Sequence, residues 1–124
     1  SSKKEMVFSL SERIDLAKKA TKDISNIEVC GFNGLLVDFA DKLEAKVILR
    51  GLRVVSDFEY EFQMSSMNKK LNKNIESIFL TPSESYSFLS SSLVKEIANL
   101  GGDISSFVSN DVKIALEKKC KKKS

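Results

Sequence analysis

Two arginines and a glycine stand where a short apolar run stops. Arg50, Gly51 and Arg53 directly follow Val47-Ile-Leu49 and precede a segment with helical character. A guanidinium group binds phosphate through two parallel hydrogen bonds, and a glycine lets a ligand approach the backbone. These residue types suit phosphate binding and the stabilisation of phosphate charge. For the isolated Arg-x-x-Arg pair, the alternative is two surface arginines with solvated head groups.

A serine-rich turn further along the chain is a second candidate for phosphate binding. Ser90, Ser91 and Ser92 follow the loop Tyr86–Leu89 and begin a predicted helix. Hydroxyl groups and free N–H groups at a helix start bind anions. Simple helix capping, which needs only one serine, is the alternative explanation.

The elements that position these residues alternate between helix and strand. We predict strands at residues 27–31, 46–49 and 75–80, and helices at residues 12–23, 35–43, 56–71, 90–100 and 110–119. Capping boxes at Ser9–Glu12 and Ser56–Glu59 support two of the helix starts. The order predicts an α/β fold with a parallel sheet flanked by helices. Ligands bind beyond the carboxyl ends of such strands, so the two polar loops should be neighbours.

Composition favours one domain over residues 1–117, followed by a basic tail at 118–124. The chain has 124 residues, 42% hydrophobic and 30% charged, with a formal charge of +3 that lies largely in the tail. We interpret the lysine run as a solvated terminus, and contact with nucleic acid or acidic lipid is the less favoured alternative. No apolar run approaches the roughly 20 residues that span a bilayer. Two distant cysteines and no histidine argue against a metal site and for a cytoplasmic protein.

A set of landmarks resembles the bacterial phosphopantetheine adenylyltransferases of coenzyme A biosynthesis. These landmarks are Phe8–Arg13, Gly31–Leu36, Arg50–Arg53, Ser56–Glu61, Met67–Asn68, Phe79–Pro82 and Tyr86–Glu96. The resemblance implies a Rossmann-like nucleotidyltransferase fold. It implies transfer of the adenylyl group of ATP to 4′-phosphopantetheine, giving dephospho-coenzyme A and pyrophosphate. Magnesium accompanying ATP and assembly as a homohexamer are implied as well, with no nucleic acid or membrane partner.

The resemblance also implies roles for individual residues. Lys4 and Arg53 would be catalytic, with neighbouring Lys3 as an alternative to Lys4. Residues implied to bind phosphopantetheine are Lys4, Leu36, Arg50, Met64, Met67 and Asn68. Residues implied to bind ATP are Gly51, Leu52, Arg53, Glu61, Tyr86, Ser87, Phe88, Leu89, Ser90, Ser91 and Ser92. Without the resemblance, Phe62, Met64 and Met67 would be predicted as core residues at helical spacing.

One family feature has no counterpart in this sequence. The family has an initial strand and a Gly-His pair, whereas this chain has no histidine. We therefore expect that the N-terminal strands are missing and that the chain alone has little or no transferase activity. Two alternatives are a non-catalytic module that binds coenzyme A or phosphate, and a structural interaction protein in which these residues only cap helices.

Overall fold

The computed structural model describes residues 6–121, which form two compact units. The strand unit is Phe32–Phe88, and the helical unit combines the described residues up to Gly31 with those from Leu89 onward. In chain order the elements are α1 Leu10–Ala20, α2 Leu36–Lys42, β1 Val47–Gly51, α3 Val55–Leu71, β2 Glu76–Leu80, a 3-10 turn Glu84–Tyr86, α4 Ser91–Asn99 and α5 Asn110–Lys121. In the part of the chain that the structure describes, no helix has the length and apolar character needed to cross a membrane.

The strand unit is built on parallel pairing of β1 with β2. Val47 lies opposite Glu76, and Gly51 lies opposite Leu80. Parallel strands need a crossover connection, and here α3 supplies it. This arrangement confirms the predicted α/β fold with a parallel sheet flanked by helices.

A small apolar core joins α2 to the sheet. Val37, Ala40, Ile48 and Ile75 are buried together. Ile48 is the only buried residue of β1, and Val47 and Leu49 are about half exposed or more. Side chains alternate between the two faces of a strand, so packing against one face leaves the other face of β1 uncovered.

The end of α2 is fixed by a Schellman motif. Ala45 N–H donates to Ala40 O, and Glu44 N–H donates to Asp41 O, both at 2.9 Å. Such a motif places the residue two positions beyond the helix in the left-handed region, where glycine is usual. Glu44 occupies that position with a φ of 56°. The motif turns the chain directly into β1.

The predicted strand at residues 27–31 is wrong. This segment forms no ladder with any described residue, so the sheet has two strands among residues 6–121. A strand requires a neighbouring strand to pair its backbone groups, and an alternating sequence cannot supply one. Instead the segment passes close to α1: a Cβ atom added to Gly31 would lie 3.0 Å from Ile14 Cδ1.

The start of α3 also differs from its prediction. The helix begins at Val55 with Val54 as its N-cap residue, two positions before the predicted cap at Ser56. Asp57, three residues after the cap, accepts a hydrogen bond from the Val54 backbone N–H. This is one half of a capping box, shifted two residues toward the N-terminus. Valine lacks the side-chain oxygen for the other half.

The helical unit packs α4 and α5 around a second core. Val94, Ala98, Ile104 and Leu116 are buried there, and α1 contacts α5. The predicted capping box Ser9–Glu12 is confirmed, with both reciprocal hydrogen bonds present.

The last helix reaches further than predicted. α5 continues to Lys121, so it includes the first residues of the lysine run that we had assigned to a solvated terminus. Lys119 Nζ lies 3.0 Å from Glu12 Oε1, which ties this run to the start of α1.

Substitution of Ile104 tests the assigned core of the helical unit. Its side chain is fully buried, whereas that of Leu100 is 81% exposed. We expect Ile104→Ala to lower the free energy of unfolding by about 2–4 kcal/mol, because it leaves a cavity. Leu100→Ala, the matched control, should change it by less than about 0.5 kcal/mol. Urea denaturation followed by circular dichroism measures both, and equal losses would contradict the assigned core.

Candidate functional site

Arg50 is held by Glu61 through two hydrogen bonds. Its Nε donates to Glu61 Oε2 at 2.8 Å, and its Nη2 donates to Oε1 at 2.6 Å. Arg50 is the penultimate residue of β1, and Glu61 lies in the second turn of α3. The side chain of Glu61 is only 12% exposed, whereas that of Arg50 is 48% exposed. The carboxylate is therefore covered by a guanidinium group that solvent or a ligand can still reach.

The ion pair shifts the titration of both partners. The side-chain hydrogen bond from Arg50 lowers the pKa of Glu61 below its ordinary value, against the opposing effect of burial. The same bond raises the pKa of Arg50. Both groups are thus charged at neutral pH.

A second arginine–carboxylate pair lies one helical turn earlier. Asp57 Oδ2 accepts hydrogen bonds from the backbone N–H and the Nε of Arg53, each at 3.2 Å. The backbone bond from Arg53 is the largest cause of the lowered pKa of Asp57. Sequence reasoning treated Asp57 as a helix cap and missed its contact with the Arg53 side chain. The four-residue spacing of opposite charges was the available signal.

The carboxyl ends of the two strands lie side by side. Gly51 ends β1, and the next residue, Leu52, donates its N–H to Leu80 O at 2.8 Å. The arginine loop and the start of the loop after β2 therefore share one edge of the sheet. This is the location where parallel α/β sheets bind ligands.

The loop after β2 contains part of the expected nucleotide site. Tyr86 ends the 3-10 turn with its side chain 55% exposed, and Phe88 is 57% exposed. The Ser87 hydroxyl donates to Glu84 O at 3.0 Å. Two aromatic side chains thus remain accessible in this segment of the strand unit.

The residues expected to bind the pantetheine arm are spread over α2 and α3. Leu36 begins α2 and packs against the core of the strand unit. Met64 and Met67 are exposed, and Asn68 is partly buried on the same helix. The alternative prediction of Phe62, Met64 and Met67 as core residues is wrong, because each is more than 40% exposed. They extend the accessible apolar surface of α3.

The serine turn belongs to the helical unit. Ser90 caps α4, and its hydroxyl accepts a hydrogen bond from the Leu93 N–H at 3.1 Å. Ser91 and Ser92 are exposed, and Leu89 packs against the helical core. The capping alternative therefore accounts for Ser90. The predicted closeness of this turn to the arginine loop stays a prediction.

The sequence analysis also predicted a catalytic lysine, Lys4 or Lys3, and argued against a metal site. Lys3 and Lys4 lie outside the described residues. Within residues 6–121, no three side chains of Asp, Glu, Cys or His converge in a way that could hold a metal ion. Two carboxylates that follow the arginine loop, Asp57 and Glu61, are paired with arginines.

The Glu61 pair should make stability depend on pH. Because the folded-state pKa of Glu61 is lowered, its contribution is fully present above the ordinary value of 4.5 and is lost as pH falls through the lowered pKa. We expect Glu61→Gln to cost about 1 kcal/mol at neutral pH and less near pH 3. Urea unfolding across this range measures the difference. Glu59→Gln, on the same helix, is the control, and a pH-independent difference would contradict the pairing.

Alanine variants of Ser90 and Ser91 test which serine caps α4. Ser90→Ala should lower the free energy of unfolding by about 1 kcal/mol, because α4 loses its cap. Ser91→Ala should leave stability within about 0.5 kcal/mol of the original. Chemical denaturation tests both variants, and equal losses would mean that the cap assignment is wrong.

The sequence also matches a known protein family. A family model described as cytidylyltransferase-like matches residues 1–97, which include the whole strand unit and most of α4. The matched region thus contains both arginine–carboxylate pairs and the serine turn. It covers well over half of the chain, and it agrees with the expected nucleotidyltransferase superfamily. The chain therefore belongs to the cytidylyltransferase-like family of nucleotidyltransferases.

Proposed function

We propose that this protein serves the transfer of the adenylyl group of ATP to 4′-phosphopantetheine in coenzyme A biosynthesis. The observation that carries the proposal is the arginine loop at the carboxyl end of β1, where Arg50 is ordered by Glu61 yet half exposed. Family membership supports nucleotidyl transfer as the reaction class. The choice of substrates rests on the resemblance of Arg50–Arg53, Ser56–Glu61 and Tyr86–Glu96 to the adenylyltransferase landmarks.

The proposed chemistry is a direct displacement. A phosphate oxygen of 4′-phosphopantetheine attacks the α-phosphorus of ATP and forms the new P–O bond. The bond from that phosphorus to the bridging oxygen breaks, and pyrophosphate leaves with its electron pair. The protein positions the two phosphates and stabilises their charge, so no covalent enzyme intermediate is required.

The residue roles in this proposal follow from the resemblance to the phosphopantetheine adenylyltransferases. Arg50 and Lys4 hold the phosphate of the acceptor, and Arg53 stabilises the phosphates of the nucleotide. Leu36, Met64, Met67 and Asn68 contact the pantetheine arm. ATP is bound by the remaining residues of the arginine loop, by Glu61 and by Tyr86–Ser92, a segment with exposed aromatic side chains. Homohexameric assembly is part of the same proposal.

Magnesium would enter as the counter-ion of ATP. Asp57 and Glu61 are occupied by arginines, which leaves them poorly suited to form a metal cage. Oxygen ligands from the substrate phosphates commonly complete a magnesium site. The ion would supply charge neutralisation to the triphosphate, while the arginines orient it.

Product formation tests the reaction. The protein is incubated with 4′-phosphopantetheine and either ATP or CTP, and dephospho-coenzyme A is sought by mass spectrometry. We expect little or no product from this chain, which has no histidine, and any product should form with ATP and not with CTP. Preference for CTP would contradict the proposed nucleotide.

Ligand titration tests the role of Arg50 separately from turnover. The chain should bind 4′-phosphopantetheine more tightly than pantetheine, which lacks the phosphate. Arg50→Ala should weaken the phosphate-bearing ligand by about 1.5–3 kcal/mol, because a charged hydrogen bond is lost. Lys70→Ala, which removes an exposed positive charge at the far end of α3, is the control. Arg50-dependent binding without any product would favour the non-catalytic alternative. Unchanged binding in Arg50→Ala would favour the structural one.

A further inference from the structure

Glu61 contacts only one edge of the Arg50 guanidinium. The hydrogen bonds engage Nε and Nη2, which form the side edge of the planar group. The end edge, formed by Nη1 and the second proton of Nη2, has no hydrogen bond to Glu61. A guanidinium can bind a carboxylate on one edge and a phosphate on another, because its five N–H protons point in fixed directions.

We propose that Glu61 is a positioning residue that holds Arg50 with its end edge presented to phosphoryl oxygens. The inference rests on the phosphate-binding role proposed for Arg50, and it gives Glu61 a function through that arginine. Glu61 suits this function because it projects from a 17-residue helix and its side chain is 12% exposed. A carboxylate fixed in this way restricts the flexible arginine before any ligand arrives.

The Arg53–Asp57 pair has the same geometry at Nε. Asp57 also accepts from the Nε of its arginine, Arg53, and it lies four residues before Glu61 on α3. Residues four apart share one face of a helix. One face of α3 therefore supports both arginines of the loop from their Nε sides.

The competing physical effect has the opposite sign. Glu61 is negatively charged, and a negative charge near a phosphate site weakens anion binding by repulsion. If repulsion or competition for Arg50 dominated, removing the charge would strengthen binding. If orientation dominates, as we propose, removing the charge weakens binding, because Arg50 loses its fixed direction.

The test uses the full chain and inorganic pyrophosphate as the probe. Calorimetry measures pyrophosphate binding by the original protein, Glu61→Gln, Arg50→Ala, the double variant and Glu59→Gln. Nitrogen-15-labelled arginine reports the Arg50 Nε–H signal in the three proteins that retain Arg50. We expect Glu61→Gln to weaken pyrophosphate binding about tenfold. Because the Arg50 Nε–H donates to Glu61 Oε2, we expect it to exchange slowly with solvent in the original protein and faster in Glu61→Gln. Glu59→Gln removes the same charge from α3 and should not weaken binding.

The double variant decides whether Glu61 acts through Arg50. If it does, Arg50→Ala with Glu61→Gln binds pyrophosphate no more weakly than Arg50→Ala alone. A further loss in the double variant would overturn the inference, as would tighter binding by Glu61→Gln. Absence of any pyrophosphate-induced change at Arg50 in the original protein would overturn it too. The titration contains neither ATP nor 4′-phosphopantetheine. Its result therefore does not depend on whether the adenylyl transfer assay detects product.

Discussion

Two strands that run parallel cannot be joined by a tight turn, and this constraint organises the strand unit. The chain must leave β1, travel back along α3 and enter β2 in the same direction. The residues just after β1 are therefore brought to the start of the crossover helix. Arg50 and Arg53 lie at this junction, and the carboxylates of α3 face them. The paired strands thus determine both where the two arginines lie and which helix supports them.

The two ion pairs change the energetics of ligand binding. A free arginine side chain loses rotamer entropy when it binds a ligand. Here Asp57 and Glu61 already restrict Arg53 and Arg50, so part of that cost is met during folding. The pairs also compensate charge locally, because each arginine is matched by one carboxylate of α3. The site therefore combines ordered hydrogen-bond donors with little excess positive charge.

The elements were more predictable from the sequence than the contacts. β1, β2 and the crossover helix have strong local signals, and the capping box at Ser9 is a direct sequence pattern. The segment 27–31 was mispredicted because strand formation depends on a neighbour that local alternation does not specify. The start of α3 was mispredicted because its N-cap residue, Val54, has no side-chain oxygen and therefore gives no capping signal in the sequence. Arg50 was identified as a ligand-binding candidate, but its bond to Glu61 spans eleven residues and depends on the angle between β1 and α3.

The partners in both arginine–carboxylate pairs lie close together in the sequence, and this affects how the site forms. Chain segments of about ten residues close on a timescale of about 10–100 ns, and local contacts cost less loop entropy than distant ones. The Arg50–Glu61 and Arg53–Asp57 contacts span eleven and four residues. Neither contact involves a residue of the later helices α4 and α5. The two arginines proposed to bind phosphate and the carboxylates that support them are therefore encoded within a single strand–helix segment, residues 50–61.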